Sequence, residues 1–186
     1  LARGVPTDQV SFSYGNGSVS YESDGSLAGM QFEITGQYEI TGHNLPNGWE
    51  IHNNENTIIL FSLDGSNLED KILFEYDGNI VIQSAIATDW YGSDIAVSSV
   101  LIPKEFALQS AYPNPFNPVT NLKFGLPVDS KVSIQIYNLQ GQVVSTLLND
   151  NMQAGYHSVV WNADEFGSGI YFVQMIAGDY IHTQKL

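Results

Sequence analysis

The chain contains no cysteine. Disulfides, thiolate nucleophiles and cysteine-ligated zinc are thereby excluded. Basic residues are scarce: six face twenty acidic ones, a formal net charge of −14 over 186 residues. Nucleic-acid backbones and anionic membrane surfaces both require a positive face, so neither is expected as a partner. No apolar run approaches the roughly 18 residues of a membrane span, and none is expected. No N-terminal stretch has the composition of a signal peptide. The first residue is Leu1 rather than Met, which reads as a processed product or a fragment.

Catalytic signatures are missing too. There is no H-E-x-x-H and no G-x-S-x-G. The four histidines, His43, His52, His157 and His182, form no close ligand pair. The expectation is a non-enzymatic protein with no catalytic residue and no cofactor. Proline is infrequent, yet three of the seven prolines fall in Tyr112-Pro113-Asn114-Pro115-Phe116-Asn117-Pro118. Proline lacks an N–H and pushes the residue before it toward extended geometry, so this stretch cannot be helical. It reads as a stiff segment whose two rings, Tyr112 and Phe116, anchor on a neighbouring surface.

Apolar residues make up 43% of the chain and aromatics 12%, ample for packed cores. Charge is uneven. Residues 1–102 hold two basic and fourteen acidic side chains, a net of −12, and residues 103–186 hold four and six, a net of −2. In the first part, period-two alternation predicts strands over 8–14, 18–22, 27–34, 38–42, 49–51, 71–76, 79–87 and 95–102. Thr57–Leu63 is apolar nearly throughout, as in a central strand covered on both sides. Gly15–Gly17 and Asp77-Gly78 read as hairpin turns. About nine short strands with regular turn signals and no amphipathic helix describe a β-sandwich. The second part alternates in the same way over 119–126, 131–137, 143–148, 156–162, 170–177 and 180–185, giving an immunoglobulin-like sandwich of about seven strands. The fold class is therefore all-β, two sandwiches in tandem: residues 1–103, a linker at 104–110, and residues 111–186.

Two resemblances follow from particular residues. Leu27-Ala28-Gly29-Met30-Gln31-Phe32, Ile59-Leu60-Phe61-Ser62 followed by Gly65, and Ala87-Thr88-Asp89 resemble the cohesin-like family of jelly-roll sandwich modules. That implies adhesion or assembly with a protein partner. The second part resembles the C-terminal sorting domain of type IX secretion, related to the immunoglobulin-like domain of the flagellar hook-capping protein. The residues are Tyr112–Pro118, Thr120, Leu126-Pro127, Ile136-Tyr137-Asn138, Gly141-Gln142-Val143-Val144, Ala154-Gly155-Tyr156-His157, Val160-Trp161-Asn162 and Ser168-Gly169-Ile170-Tyr171-Phe172. This resemblance implies export across the outer membrane to the cell surface or beyond, with the secretion machinery as a partner and Tyr112–Pro118 as the sorting motif. The family usually ends on a lysine soon after the last strand, whereas this chain stops at Lys185-Leu186.

The remaining candidates are weaker in chemistry. Asp64, Asn67 and Asp70 alternate oxygen ligands in the manner of a calcium loop, without EF-hand spacing. His43 and His52 would need to meet across the Pro46 loop to bind a metal. Trp49, Trp90 and Tyr91 lie in or beside loops, where they either stack on a glycan or anchor the loops. Two alternatives to the adhesion reading stand. One is a structural subunit of an extracellular filament or layer, a homopolymer in which residues 1–14 add a strand to a neighbour's sheet edge. The other is the tail of a larger secreted glycoside hydrolase or carbohydrate-binding protein.

Overall fold

The alternation of apolar and polar residues is realised as strands throughout the computed structural model, which describes residues 4–186. In chain order the strands are β1 (Gln9–Tyr14), β2 (Ser18–Ser23), β3 (Gly29–Thr35), β4 (Tyr38–His43), β5 (Trp49–Asn53), β6 (Thr57–Ser62), β7 (Ile72–Gly78), β8 (Val81–Thr88) and β9 (Ala96–Leu101). Then come β10 (Ala107–Leu108), β11 (Val119–Leu126), β12 (Ser130–Tyr137), β13 (Val143–Met152), β14 (Gly155–Asn162), β15 (Phe172–Ala177) and β16 (Tyr180–Lys185). Among the described residues there is no helix, and hence none long and apolar enough to cross a membrane. The chain divides into two compact units, Leu1–Leu101 and Ile102–Leu186.

The first unit is a sandwich of a five-stranded sheet, β4-β7-β2-β1-β9, and a four-stranded sheet, β5-β6-β3-β8. Its core is built on Phe12, Phe32 and Phe74, all but fully buried, with Phe12 and Phe32 edge to face at 4.7 Å. The β1–β2 hairpin forms as expected, its turn supplied by Gly15 and Gly17 at positive φ. β1 is paired on both sides, antiparallel to β2 and parallel to β9. Gln9–Tyr14 is therefore already committed and has no free edge to donate to a neighbour. Of the segment proposed for strand donation, only residues 1–3 lie outside the described residues.

Two local expectations fail, one because the chain crosses between sheets and one because the outer face of a sheet is uncovered. Asp77-Gly78 does not close a hairpin. β7 pairs with β2 and β4, whereas β8 pairs with β3, so the turn carries the chain across the sandwich. Thr57–Leu63 is not covered on both faces. Ile58 and Leu60 are fully buried, but Ile59 and Leu63 are exposed. β6 is a half-buried strand whose outward residues happen to be apolar.

The second unit packs β10-β11-β14 against β13-β12-β15-β16. Leu122, Phe124, Leu126, Ile134, Ile136, Trp161, Val173 and Met175 fill its core. The β15–β16 hairpin turns at Gly178-Asp179, as read from the sequence. β13 runs on to Met152, beyond the strand over 143–148 read from the sequence, because β12 continues to pair with it as far as Ser130. The segment expected as a linker is not free: Ala107 and Leu108 pair with Gly125 and Phe124, and Leu108 is buried in the second core.

The β6 alternation is open to a direct check. Ile58→Ala should cost about 2–5 kcal/mol through lost burial and a residual cavity. Ile59→Ala, one position along, should cost under about 1 kcal/mol. Equilibrium urea denaturation distinguishes the two, and equal costs would contradict this packing.

Candidate functional site

The proline-rich motif is held by backbone and side-chain bonds from three parts of the second unit. Tyr112 and Asn121 exchange backbone hydrogen bonds of 3.1 and 3.0 Å. The buried Thr120 hydroxyl donates to the Pro113 carbonyl at 2.8 Å. Asn114 Nδ2 donates to the Lys185 carbonyl at 3.2 Å, and the Ala163 N–H to the Pro118 carbonyl at 3.0 Å. The Tyr112–Pro113, Asn114–Pro115 and Asn117–Pro118 bonds are cis. Phe116 lies on Trp161, ring centroids 4.9 Å apart, and Tyr171 and Phe166 flank the same indole at 5.1 and 5.9 Å. The last residue, Leu186, is buried in this core, with its N–H bonded to the Tyr171 carbonyl.

Of the two rings expected to anchor the motif, one does. Phe116 packs, but the Tyr112 ring is 81% exposed. Tyr112 is fixed by its backbone pairing with Asn121, which turns its side chain away from the core. His157 stacks on Phe124 at 5.4 Å, with Nε2 2.8 Å from the Gln153 carbonyl, a packing role.

In the first unit the candidate residues are dispersed. Asp64 Oδ1 accepts the Ser66 N–H at 2.9 Å and so caps its own turn. Asp70 accepts Asn44 Nδ2 and the Ile72 N–H. Asn67 lies in the loop between them. Among the described residues, no group of three His, Asp or Glu side chains is placed to hold a metal ion. His43 is on β4 and His52 on β5, in different sheets, and His52 pairs with Glu50 at 2.7 Å. Trp49 is buried, and its Nε1 donates to the Ser66 carbonyl, so it anchors the loop and shows no ring face to solvent. Trp90 is half-buried, and Tyr91 is exposed with its hydroxyl on the Gly4 carbonyl at 3.0 Å.

Two features take shape only in the folded chain. The first is the outer face of the β5-β6-β3-β8 sheet. Register places Phe61 beside Gly29, and Ile59 beside Gln31, which faces Ile86 on β8. Ile59 and Ile86 are 38% and 62% exposed. Gly29 has no side chain, and a shallow hollow of about 300 Å³ opens there, lined in part by Ile59, Phe61 and Ile86. Gln31 lies within the face, between Ile59 and Ile86, and bonds Glu33, while the Glu50–His52 pair flanks the face on β5, with His52 stacked on Phe61 at 5.7 Å.

The second is Asp89, buried at the end of β8. Its carboxylate accepts the Thr7 N–H at 3.1 Å, the Tyr91 and Ser93 N–H groups at 2.9 and 3.0 Å, and the Ser93 hydroxyl at 2.6 Å. Burial works to raise its pKa, but these bonds, Ser93's foremost, outweigh it and hold the group far below the usual carboxylate range. Asp89 thereby ties the segment before β1 to the loop before β9.

Comparison with known proteins decides the nature of the second unit. Residues 110–186 match the family described as the secretion system C-terminal sorting domain. These residues are a type IX sorting domain. The sorting domain marks the chain for export to the cell surface or extracellular space and implies contact with the secretion machinery. No match is found among curated proteins. Among solved structures, dimeric latent PorU from Porphyromonas gingivalis aligns over 97% of this chain at 12% identity, with a TM-score of 0.37. The chain spans 19% of the PorU chain's length. The CupB2 chaperone of Pseudomonas aeruginosa aligns over 95% of this chain and 96% of its own, at 11% identity and a TM-score of 0.23. Scores of this size carry neither fold nor function from one chain to another.

The sorting motif predicts an asymmetry. Phe116→Ala should destabilise the sorting domain by about 2–3 kcal/mol through the void left over Trp161. Tyr112→Ala should stay within about 0.5 kcal/mol. Thermal melts of the two variants give the comparison.

Asp89 predicts an acid limb. A carboxyl held low in the folded chain takes up its proton first in the unfolded chain. Its stabilisation is complete above about pH 4 and is lost as pH falls from there through the depressed folded value. Asp89→Ala should cost about 2–4 kcal/mol at neutral pH by leaving buried N–H groups unpaired. Asp89→Asn should show a flatter loss of stability below about pH 4 than the parent, measured by denaturation at stepped pH.

Proposed function

We propose that this is a non-enzymatic exported protein whose first unit is a cohesin-like adhesion or assembly module, binding a protein partner on the outer face of the β5-β6-β3-β8 sheet. The observation that carries the reading is the apolar centre at Ile59, Phe61 and Ile86 around the hollow at Gly29. Outward positions of a solvated sheet are ordinarily polar. A contiguous apolar patch with a polar rim has the make-up of a protein-recognition surface. A projecting apolar side chain of the partner fills the hollow, Gln31 offers an amide between Ile59 and Ile86, and Glu50, His52 and Glu33 supply the polar margin. The sheet is anchored from behind by Phe32, Ile58 and Leu60, so the face is rigid before a partner arrives. That lowers the ordering cost of association. The sandwich of a five-stranded and a four-stranded sheet and the Leu27–Phe32 resemblance support the same reading, and the sorting domain delivers the module outside the cell.

The test uses the full chain as bait against proteins released from the surface of the cells that export it. Ile59→Asp and Ile86→Asp place charges on the face without touching the core. Each should weaken the bound partner by about 30-fold, the equivalent of roughly 2 kcal/mol at an interface centre. A partner held equally well by the double variant would remove this face from consideration. Turnover of any substrate by the purified chain would overturn the non-enzymatic reading.

A further inference from the structure

A second concavity lies at the motif end of the sorting domain, a cavity of about 510 Å³. It is walled by three stretches far apart in sequence: residues 114–118, residues 163–171, and residues 185–186. Its volume falls within the range of ordinary ligand sites, about 300–1,000 Å³. Phe116 and Tyr171 give it aromatic walls, and both rings are locked because they also flank Trp161. Asn117 and Ser168 offer an amide and a hydroxyl. Asp164 and Lys185 contribute one charge of each sign, so the lining is close to neutral in a strongly acidic chain.

The glycines of the 163–171 wall point further. A side chain built on Gly167 meets nothing within 4 Å, and one on Gly169 makes only ordinary contacts at 3.9 Å. Neither sits at positive φ. The backbone does not require glycine at either place, and neither does close packing. What glycine achieves there is a wall without side chains beside the opening.

We infer that this cavity is where the sorting domain is gripped, and that its occupant is an uncharged, extended polypeptide segment of the export machine. The inference rests on the sorting-domain assignment and adds the contact surface. Charge argues for that occupant: a lining with balanced charges gives no preference for an anionic or cationic ligand. Aromatic and proline walls accept apolar side chains, while the Asn117 amide and the Ser168 hydroxyl can bond a peptide backbone.

The experiment expresses the full chain in a bacterium that exports it and measures the fraction delivered to the surface. Gly167→Trp and Gly169→Trp should fold as the parent does, with melting temperatures within about 2 °C. Both should nevertheless remain in the periplasm, with surface delivery reduced by about tenfold, equivalent to roughly 1.4 kcal/mol of lost binding. Leu139→Trp, on an exposed turn away from the cavity, should be exported normally. Asn117→Ala, which adds no bulk, should reduce delivery in the same direction and replaces either tryptophan variant that does not fold. If deletion of residues 111–186 leaves export unchanged, the sorting assignment itself fails. If that deletion blocks export while the folded cavity variants are delivered like the parent, the assignment stands and the cavity proposal falls. Equal arrest by Leu139→Trp would make bulk alone the cause and overturn it. So would an oligosaccharide array bound by the parent and lost in Gly167→Trp with export intact, or a sedimentation dimer abolished by that substitution, which would give the cavity to sugar or to a second copy.

Discussion

Each sheet in this protein can bury one face only, and almost everything else follows from that constraint. Alternate residues of a strand point to opposite faces, so choosing a core fixes the other half of every strand as surface. In the first unit the choice sends Phe12, Phe32, Ile58 and Phe74 inward. In the second it sends Leu122, Ile134, Trp161 and Val173 inward. A slip of one residue would exchange the two sets, so register is held by the whole core and not by any single turn. The outward set is released from packing and is free to differ between sheets. On the outer face of β5-β6-β3-β8, that freedom leaves Ile59, Phe61 and Ile86 apolar among polar neighbours.

The strands were legible for the same reason. Period-two alternation is a local signal, and observed strand limits depart from those read off the sequence mostly by a residue or two. What was not legible is pairing. Asp77-Gly78 has the chemistry of a hairpin turn, and nothing within those two residues tells whether the next strand returns beside β7 or crosses to the other sheet. Thr57–Leu63 looked covered on both faces because apolar composition does not say what lies above a strand. The short β10 was hidden in a stretch with too few residues to show a period. Tyr112 and Phe116 looked alike as aromatic anchors. Their fates separate because Tyr112 enters a backbone bridge with Asn121, whereas Phe116 reaches Trp161.

The candidate sites follow the same division. The sorting motif could be read from the chain because it is contiguous and rich in proline. The patch at Ile59 and Ile86 could not, since it is assembled from strands separated by up to about 60 residues and exists only in the register of the folded sheet. Asp89 is the limiting case. It is one acid among twenty, quoted in the sequence only for a resemblance, and its role appears when its carboxylate joins neighbouring Tyr91 and Ser93 to Thr7, more than eighty residues away.

Long-range dependence also bears on how an export address can work. Taken as a peptide, Tyr112–Pro118 has a stiff backbone and two free rings. In the folded sorting domain, Phe116 is spent on Trp161, Asn114 reaches the Lys185 carbonyl, and Pro118 receives the Ala163 N–H. The surface left to be read is therefore composite, made of the motif, the glycine-bearing loop and the chain's final strand. None of the three presents it alone. A machine that grips this surface binds the folded sorting domain and not the unfolded chain, so by linkage the grip stabilises the fold it requires. Recognition of the address then depends on the packing around Trp161 as much as on the prolines, and a substitution beneath the motif weakens export even where the motif is intact.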